Sequence, residues 1–403
     1  MVTKRKISII NIVIAVIIIL NVGSHFLYNV FGVGNTYYAS YIGWMLLLLS
    51  ILTLGNVRIK KNGIYVFILL ILLFIIGAIC GEIIIDHGFS DIHVGIFTAI
   101  AYLSLYGVNF KKVHFDIDYR FFCKIVLIIG IFAVLYAIVF QKSYMIELIK
   151  RNNVSWNSWQ FVSFFRQRNI FSQYCYIASI CALLLYTEKK NKFYIVALVL
   201  FGGIIFLTSS RAALIGYVVL IGLYICLQRK NKYLFFLLSV IVLLLFAYAF
   251  DLFGSVSTIF YHEATNGNDS GAIRVLMWLD CIQCLFQHNV FMFGLGMGAE
   301  SVFLMPKYGV GSSHSVYVDA MFDGGIVFLV VIFLSLYRTM RTVLKIKQPK
   351  IKSLYVAAMI SFVLYGFLEA GMALFGSNYF SITASILLIV LPQFIQRKES
   401  MYE

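Results

Sequence analysis

Long apolar runs recur along the whole 403-residue chain at fairly even spacing. A helix needs about 20 mostly apolar residues to cross the roughly 30 Å hydrocarbon core of a bilayer. The composition agrees, because 62% of the residues are hydrophobic and 12% are charged, against about 25% charged in a soluble domain. We therefore predict an all-α polytopic membrane protein that forms a single integral membrane domain over residues 1–403. About twelve transmembrane helices are expected, near residues 7–22, 37–57, 63–85, 92–108, 121–140, 170–186, 193–207, 212–227, 233–252, 315–337, 354–373 and 378–395.

The net charge of +15 is explained by topology and does not indicate a nucleic-acid partner. Twelve spans with both termini in the cytoplasm put basic residues in every inner loop, which is the positive-inside pattern of membrane proteins. The remaining Lys and Arg residues fall in the outer segments, where no topological rule requires them: Lys142, Lys150, Arg151, Arg166, Arg168, Arg211, Arg274 and Lys307. The sequence thus predicts a functional site on the extracytoplasmic face of the cytoplasmic membrane.

Two outer segments are unusually polar or aromatic. Residues 141–169 carry Trp and Phe residues followed by Arg166 and Arg168, and this pattern fits a segment in the lipid headgroup layer or an aromatic belt that anchors helix ends. Residues 253–313 form the longest polar stretch, and we predict one long extracytoplasmic loop there with a helix over residues 272–286. A long loop in a compact membrane protein is usually functional.

An arginine stands between two apolar runs in the sequence Thr-Ser-Ser-Arg-Ala-Ala, residues 208–213. About four residues separate the two predicted helices, so Arg211 lies in a tight turn close to membrane depth. Ionisable groups there are costly and mark functional sites by default. The alternative is an arginine that snorkels to lipid phosphates, but the neighbouring Ser210 and the small residues favour a packed polar pocket.

A second arginine, Arg274, enters the helix predicted after Ser270-Gly271. Free N–H groups at a helix N-terminus favour anions, and a guanidinium matches two phosphate oxygens at once. The alternative is a surface arginine on an amphipathic outer helix.

A histidine lies where the long loop enters the next span, in the sequence Ser312-Ser313-His314-Ser315. The unperturbed pKa of histidine suits proton transfer near neutral pH. A lone histidine is more often structural, but two outer arginines strengthen the case for a site. Other candidates for a general base are Glu263, Asp269 and Asp319. No acidic motif has metal-ligand spacing, so no metal is expected.

The order of these motifs resembles that of the bacterial O-antigen polymerase and O-antigen ligase superfamily, of the Wzy and WaaL kind. The resemblance covers about residues 161–331 and rests on Ser-Ser-Arg at a helix turn, a helix with Arg274 and Trp278, a Gly-x-Gly-x-Gly run over residues 294–298, and Ser-His-Ser before a Gly-Gly pair. The segment Phe-Phe-Arg-Gln-Arg-Asn, residues 164–169, is similar to an element that precedes the family's central helices. Members with His-Asn after the glycine run differ from this chain, which has His314-Ser315.

The resemblance implies a GT-C-like membrane scaffold and a glycan donor on undecaprenyl diphosphate, without a nucleotide or metal cofactor. Arg211 and Arg274 would bind the diphosphate, with Arg166, Arg168, Ser210 and Ser313 as further substrate-binding candidates. His314 would act on the acceptor hydroxyl or orient the donor. The implied partners are the lipid-linked oligosaccharide donor and acceptor, membrane lipids and a chain-length regulator.

Three functions remain open on the sequence. The first is a repeat-unit polymerase, an inverting glycosyltransferase for a capsule, an exopolysaccharide or O-antigen. The second is a ligase that transfers finished glycan to a different acceptor. The third is a lipid-linked oligosaccharide flippase or transporter, although such proteins tend to carry paired half-repeats and mid-membrane charges, and the notable charges here lie at one face.

Overall fold

The computed structural model describes residues 8–33, 36–87, 89–150, 154–229, 232–249, 271–371, 373–374 and 380–401, and within these ranges the regular structure is helical. The first half of the chain forms α1 to α8, which are Ile9–Phe31, Thr36–Gly55, Lys61–Ile85, Ile92–Tyr106, Tyr119–Phe140, Lys142–Ile149, Val154–Gln160 and Arg168–Lys189. The second half forms α9 to α17, which are Lys192–Leu207, Arg211–Arg229, Lys232–Ala249, Gly271–Gln287, Ala299–Tyr308, Val316–Leu344, Pro349–Leu368, Ser381–Ser385 and Leu391–Met401.

The helical spans coincide with the apolar runs, which confirms a polytopic α-helical membrane protein. Within the described residues, eight helices are long and apolar enough to cross a membrane, and three shorter apolar helices lie at 92–106, 192–207 and 233–245. The span predicted at 378–395 is interrupted, since a π-helical turn over Ile386–Val390 joins α16 to α17. The exact number of crossings and a GT-C architecture stay predictions.

Helix α8 is the centre of the bundle and is almost entirely buried. It packs against α5, α9, α10 and α15, and α10 in turn packs along α15. The outer helices are apolar on their exposed sides as well, as Ile128 of α5 and Ile83 of α3 illustrate. A helix that is apolar all round suits a lipid environment, so these sides are the lipid-facing surface.

The helix ends lie at two opposite faces of the bundle. On the basic face, Lys60 N at the start of α3 donates to Gly107 O after α4, and the guanidinium of Arg397 donates to three carbonyls, those of Phe110, Val113 and Phe115. The opposite face, which we call the site face, contains the starts of α8, α10 and α14 and the end of α15. This division follows the alternating direction of successive helices.

The described part of the predicted long loop is largely ordered secondary structure. Residues 271–313 form α12, a glycine-rich connection and α13, and they pack with α14 around a small apolar core that includes Met277, Leu295 and Phe322. The predicted helix at 272–286 is thereby confirmed as Gly271–Gln287. The other part of the loop, with the candidate bases Glu263 and Asp269, lies outside the described residues.

Candidate functional site

The turn between α9 and α10 is polar, buried and anchored to the central helix. The Thr208 and Ser172 hydroxyls lie 2.6 Å apart, and Ser209 has the positive φ of 55° that closes the turn. Arg211 is the first residue of α10 and is partly buried. The predicted tight turn is confirmed. The first backbone N–H groups of α10, which begin at Arg211, have no carbonyl partner within the helix.

Ser210 connects this turn to α15. Its side chain is 3% exposed and lies near the Tyr365 side chain in the last turn of α15, without a hydrogen bond between the two hydroxyls. Close packing of α10 on α15 permits this approach, because a Cβ at Gly216 would lie 3.0 Å from the Tyr365 ring. The Arg211 turn is thus held next to the end of α15.

Arg274 of α12 reaches the same end of α15. Its Nη1 donates a hydrogen bond of 2.9 Å to the carbonyl oxygen of Leu368, the last residue of that helix. A cation is favoured at this position because the carbonyls at a helix C-terminus carry partial negative charge. This bond holds one nitrogen of the guanidinium against the end of α15.

Glu369 follows Leu368 and adds a carboxylate to the group. It is 8% exposed, and its Oε2 accepts a hydrogen bond of 2.9 Å from Nδ2 of Asn169 in the first turn of α8. Glu369 also interacts electrostatically with Asp319 of α14. The roles of Asn169 and Glu369 do not follow from the local sequence, although Glu369 stands near the end of a predicted apolar span.

His314 is held in a fixed backbone conformation just before α14. Trp278 Nε1 donates to the Ser313 carbonyl at 2.8 Å, and Ser313 N donates to Asp319 Oδ1 at 2.9 Å. His314 itself has a φ of +58° and is half-buried. Left-handed backbone is uncommon for residues other than glycine. The surrounding hydrogen bonds hold His314 in this conformation and thereby set the direction in which its side chain leaves the backbone. Asp319 thus positions the segment around Ser313 and His314.

The glycine run pairs with a kink in α14, where Gly324 and Gly325 leave the helical conformation. Leu295 N donates to Phe322 O at 2.8 Å and Gly296 N donates to Asp323 O at 2.9 Å, while Ile326 N donates back to Phe291 O. Gly294, Gly296 and Gly298 all have positive φ. These glycines therefore serve backbone packing, and through α14 they fix the position of His314.

A second acidic group lies beside the glycine run. The side chains of Glu300 and Asp323 lie close together, and Asp323 Oδ1 accepts a bond of 3.1 Å from Gly298 N. Burial raises the pKa of the Glu300 carboxyl above its ordinary value, and the nearby Asp323 and His87 side chains oppose that rise. The shared contact stabilises the junction of α13 and α14 and does not include the arginines.

The structure places Arg166 and Arg168 differently from each other. Arg168 Nη1 donates to Ser158 Oγ at 2.6 Å and its guanidinium lies 5.0 Å from the Trp159 ring centre. Arg166 is exposed and lies 5.9 Å from the ring centre of Tyr28 in α1. Asn169 is the residue of this segment that bonds to Glu369 at the end of α15.

The phenylalanine residues of that segment do not have the environment predicted from the sequence. Phe161, Phe164 and Phe165 are at most 2% exposed, so they are core residues and do not lie in the headgroup layer. They pack on one another and on Phe171 and Tyr174 of α8. The sequence pattern did not distinguish side chains in contact with lipid from side chains in the protein core, because lipid tails and the protein interior are both apolar.

These elements define a polytopic helical membrane protein whose polar groups gather where helices end at one face. Residues 196–333, about a third of the chain, match the family model of the O-antigen ligases. The match includes Arg211, Arg274 and His314, and it confirms the resemblance to the O-antigen polymerase and ligase superfamily. It indicates polysaccharide processing of the O-antigen ligase and polymerase type. No curated protein gives a significant match to the chain.

Proposed function

We propose that this protein is a repeat-unit polymerase that joins undecaprenyl-diphosphate-linked oligosaccharides on the outer side of the cytoplasmic membrane. The observation that carries the proposal is the meeting of three chain segments at the end of α15. Arg274 bonds to Leu368, Ser210 beside Arg211 contacts Tyr365, and Ser313 beside His314 is held by Trp278 of the Arg274 helix. In this proposal, residues far apart in the sequence supply two cations and an imidazole to one region.

In this proposal the two arginines neutralise the diphosphate of the donor. Arg211 and the N-terminus of α10 face one phosphate, and Arg274 contributes a guanidinium that α15 already orients. A preorganised pair of cations stabilises the charge that develops as the glycosidic bond to the diphosphate breaks. The leaving diphosphate therefore needs no metal ion in the proposed reaction.

The acceptor is the hydroxyl of a second lipid-linked repeat unit. Its oxygen attacks the anomeric carbon of the donor as the bond to the diphosphate oxygen breaks on the opposite side, which inverts the configuration. The hydroxyl proton passes to the imidazole of His314, or His314 orients the donor while a carboxylate accepts the proton. Ser210 and Ser313 support these groups, and Arg168 positions its own segment through Ser158. Arg166, which is exposed, is the cation of that segment available to the glycan.

The orientation rests on charge. The basic face carries Lys60, Arg338 and Arg397, and the positive-inside rule assigns such a face to the cytoplasm. The site face is then extracytoplasmic. The resemblance also implies membrane lipids and a chain-length regulator as partners.

The O-antigen ligase match supports a second candidate, transfer of finished glycan to a different acceptor. One experiment separates the two. Purified protein in nanodiscs is incubated with lipid-linked repeat units alone, and the products are resolved by gel electrophoresis. A ladder of repeats supports the polymerase. Product only after a second acceptor is added supports the ligase, and no transfer in either case contradicts both.

A further inference from the structure

A polar cavity lies on the basic face, at the opposite end of α3 from the glycine run. Its volume is about 290 Å³, and its lining includes Lys60, Asn62, Tyr102, Arg338, Thr342 and Gln393. Ligand pockets begin at about 300 Å³, so the space fits one small polar group. Helix α3 has 25 residues and is therefore about 37 Å long, which separates this cavity from the proposed active site.

Two cations meet in this cavity. Partial burial lowers the pKa of Lys60, and the positive charge of Arg338 across the cavity lowers it further. Within the described residues the lining contains hydroxyl and amide groups but no carboxylate to balance the charges. Two like charges held together repel each other, and an anion between them would relieve that repulsion.

The walls that hold these cations are fixed by backbone contacts. A Cβ at Gly63 would lie 2.4 Å from Gly107 Cα, so α3 and the end of α4 touch backbone to backbone. Lys60 N donates to Gly107 O at 2.8 Å. Across the cavity, Tyr106 Oη lies 2.9 Å from Thr339 Oγ1, one residue after Arg338. The cations therefore project from a preorganised frame and not from mobile loops.

We propose that this cavity binds a phosphate-bearing anion through Lys60 and Arg338. The guanidinium fork matches two phosphate oxygens, and the lysine ammonium adds a point charge. The phosphate belongs to an anionic lipid headgroup or to a soluble phosphate compound. This proposal does not depend on the function assigned to the site face.

The test uses charge-removing variants with matched neighbours. Lys60→Gln and Arg338→Gln remove the cavity cations, which are exposed at its mouth, so both variants should fold. Lys61→Gln and Arg341→Gln remove exposed cations on the same face that do not line the cavity. All four are prepared as the full chain in phosphatidylcholine nanodiscs.

In the soluble arm, inorganic pyrophosphate is titrated at constant ionic strength and the thermal unfolding temperature is recorded. In the lipid arm, nanodiscs containing phosphatidic acid are used without pyrophosphate, and retained lipid is counted by native mass spectrometry. We expect each cavity variant to bind at least one of these probes about tenfold more weakly, because a charge-assisted bond is lost. The neighbour variants should bind like the unmodified protein.

A response to pyrophosphate that the cavity variants lose identifies a soluble ligand, and a response to phosphatidic acid that they lose identifies a lipid headgroup. The proposal is overturned if the unmodified protein responds to neither probe. It is also overturned if the neighbour variants lose binding as much as the cavity variants do, because general surface charge would then explain the effect.

Discussion

The Asn169 side chain donates a hydrogen bond of 2.9 Å to the carboxylate of Glu369, and this bond joins the start of α8 to the residue after α15. Glu369 follows directly on Leu368, whose carbonyl accepts the bond from Arg274. A carboxylate and a guanidinium are thereby kept side by side at the site face. The stability of that corner should depend on the amide of Asn169.

We expect Asn169→Ala to destabilise the protein by about 1.5–3 kcal/mol, which is the usual contribution of a hydrogen bond to a charged group. The unfolding temperature in nanodiscs measures this change. Gln228→Ala is the control, because Gln228 makes a longer, exposed bond of 3.5 Å to Lys350 O on the basic face. Equal stability of the two variants would contradict a special contribution from the Asn169 bond.

Arg211→Lys and Arg274→Lys should each reduce polymer formation about tenfold or more, since lysine keeps the charge but loses the fork. If both arginines bind one diphosphate, the double variant should lose less than the product of the two single losses, because neighbouring groups are not additive. Initial rates with purified lipid-linked units provide the measurement. Lys142→Gln, an exposed cation on the same face, is the control and should keep normal activity. Strictly multiplicative losses would argue against a shared ligand.

His314→Ala should lower the rate by about 10²-fold or more if the imidazole acts as a base. His314→Asn tests the backbone instead, because asparagine accepts the left-handed conformation of this position but cannot act as a base near neutral pH. We expect both variants to be inactive at pH 7. Recovery of activity in the asparagine variant would assign an orienting role to His314.

Gly296→Ala should destabilise the loop that holds α14. A Cβ there would lie 2.9 Å from Ala78 Cα, and the φ of +91° disfavours alanine, so a cost of about 1–3 kcal/mol is expected. Gly203→Ala is the matched control, since its Cβ would meet open space within a helix and should stabilise by about 0.5–1 kcal/mol. We predict that the unfolding temperature falls in Gly296→Ala and rises in Gly203→Ala, relative to the unmodified protein.

Glu300→Gln should change how stability varies with pH. Burial raises the Glu300 pKa, so between the unfolded and folded pKa values the folded protein binds more protons than the unfolded chain. Stability then falls as pH rises through that window. The glutamine variant lacks this loss and should be more stable than the unmodified protein at pH 8, with a smaller difference at pH 4.

The control for this experiment is Glu147→Gln, which changes a carboxylate paired with Lys150 at 3.6 Å on α6. We expect no gain at pH 8 from that substitution. A gain of the same size in both variants would mean that net charge, and not the environment of Glu300, sets the pH dependence.

Several features of the candidate site were predictable from local sequence. Arg211 was expected in a tight turn, and in the structure it begins α10 directly after the turn formed by Thr208, Ser209 and Ser210. Arg274 was expected inside an outer helix, which is α12. Both predictions depend only on the lengths of neighbouring apolar runs and on the residues between them. The assignment of these arginines to a diphosphate stays a proposal.

Other features were not predictable because they depend on distant partners. The Arg274 bond to Leu368 spans 94 residues, and the Asn169 bond to Glu369 spans 200. The left-handed backbone of His314 and the pairing of Gly296 with Asp323 likewise arise from contacts between separate segments. The burial of Phe161 was missed for a related reason, since an apolar side chain suits both lipid and protein.

The apolar runs are enough to establish a helical membrane protein, because they must match the thickness of the bilayer and backbone groups in lipid must bond within a helix. The sequence also placed most helix ends, since polar residues interrupt those runs. Which helix ends meet depends on how the helices pack, and this packing places Arg274 against α15 and puts Lys60 and Arg338 around one cavity. Lipid is as apolar as the helix surfaces, so small residues and specific polar bonds select which helices pack together. Because these contacts join residues far apart in the chain, no local sequence pattern predicts them.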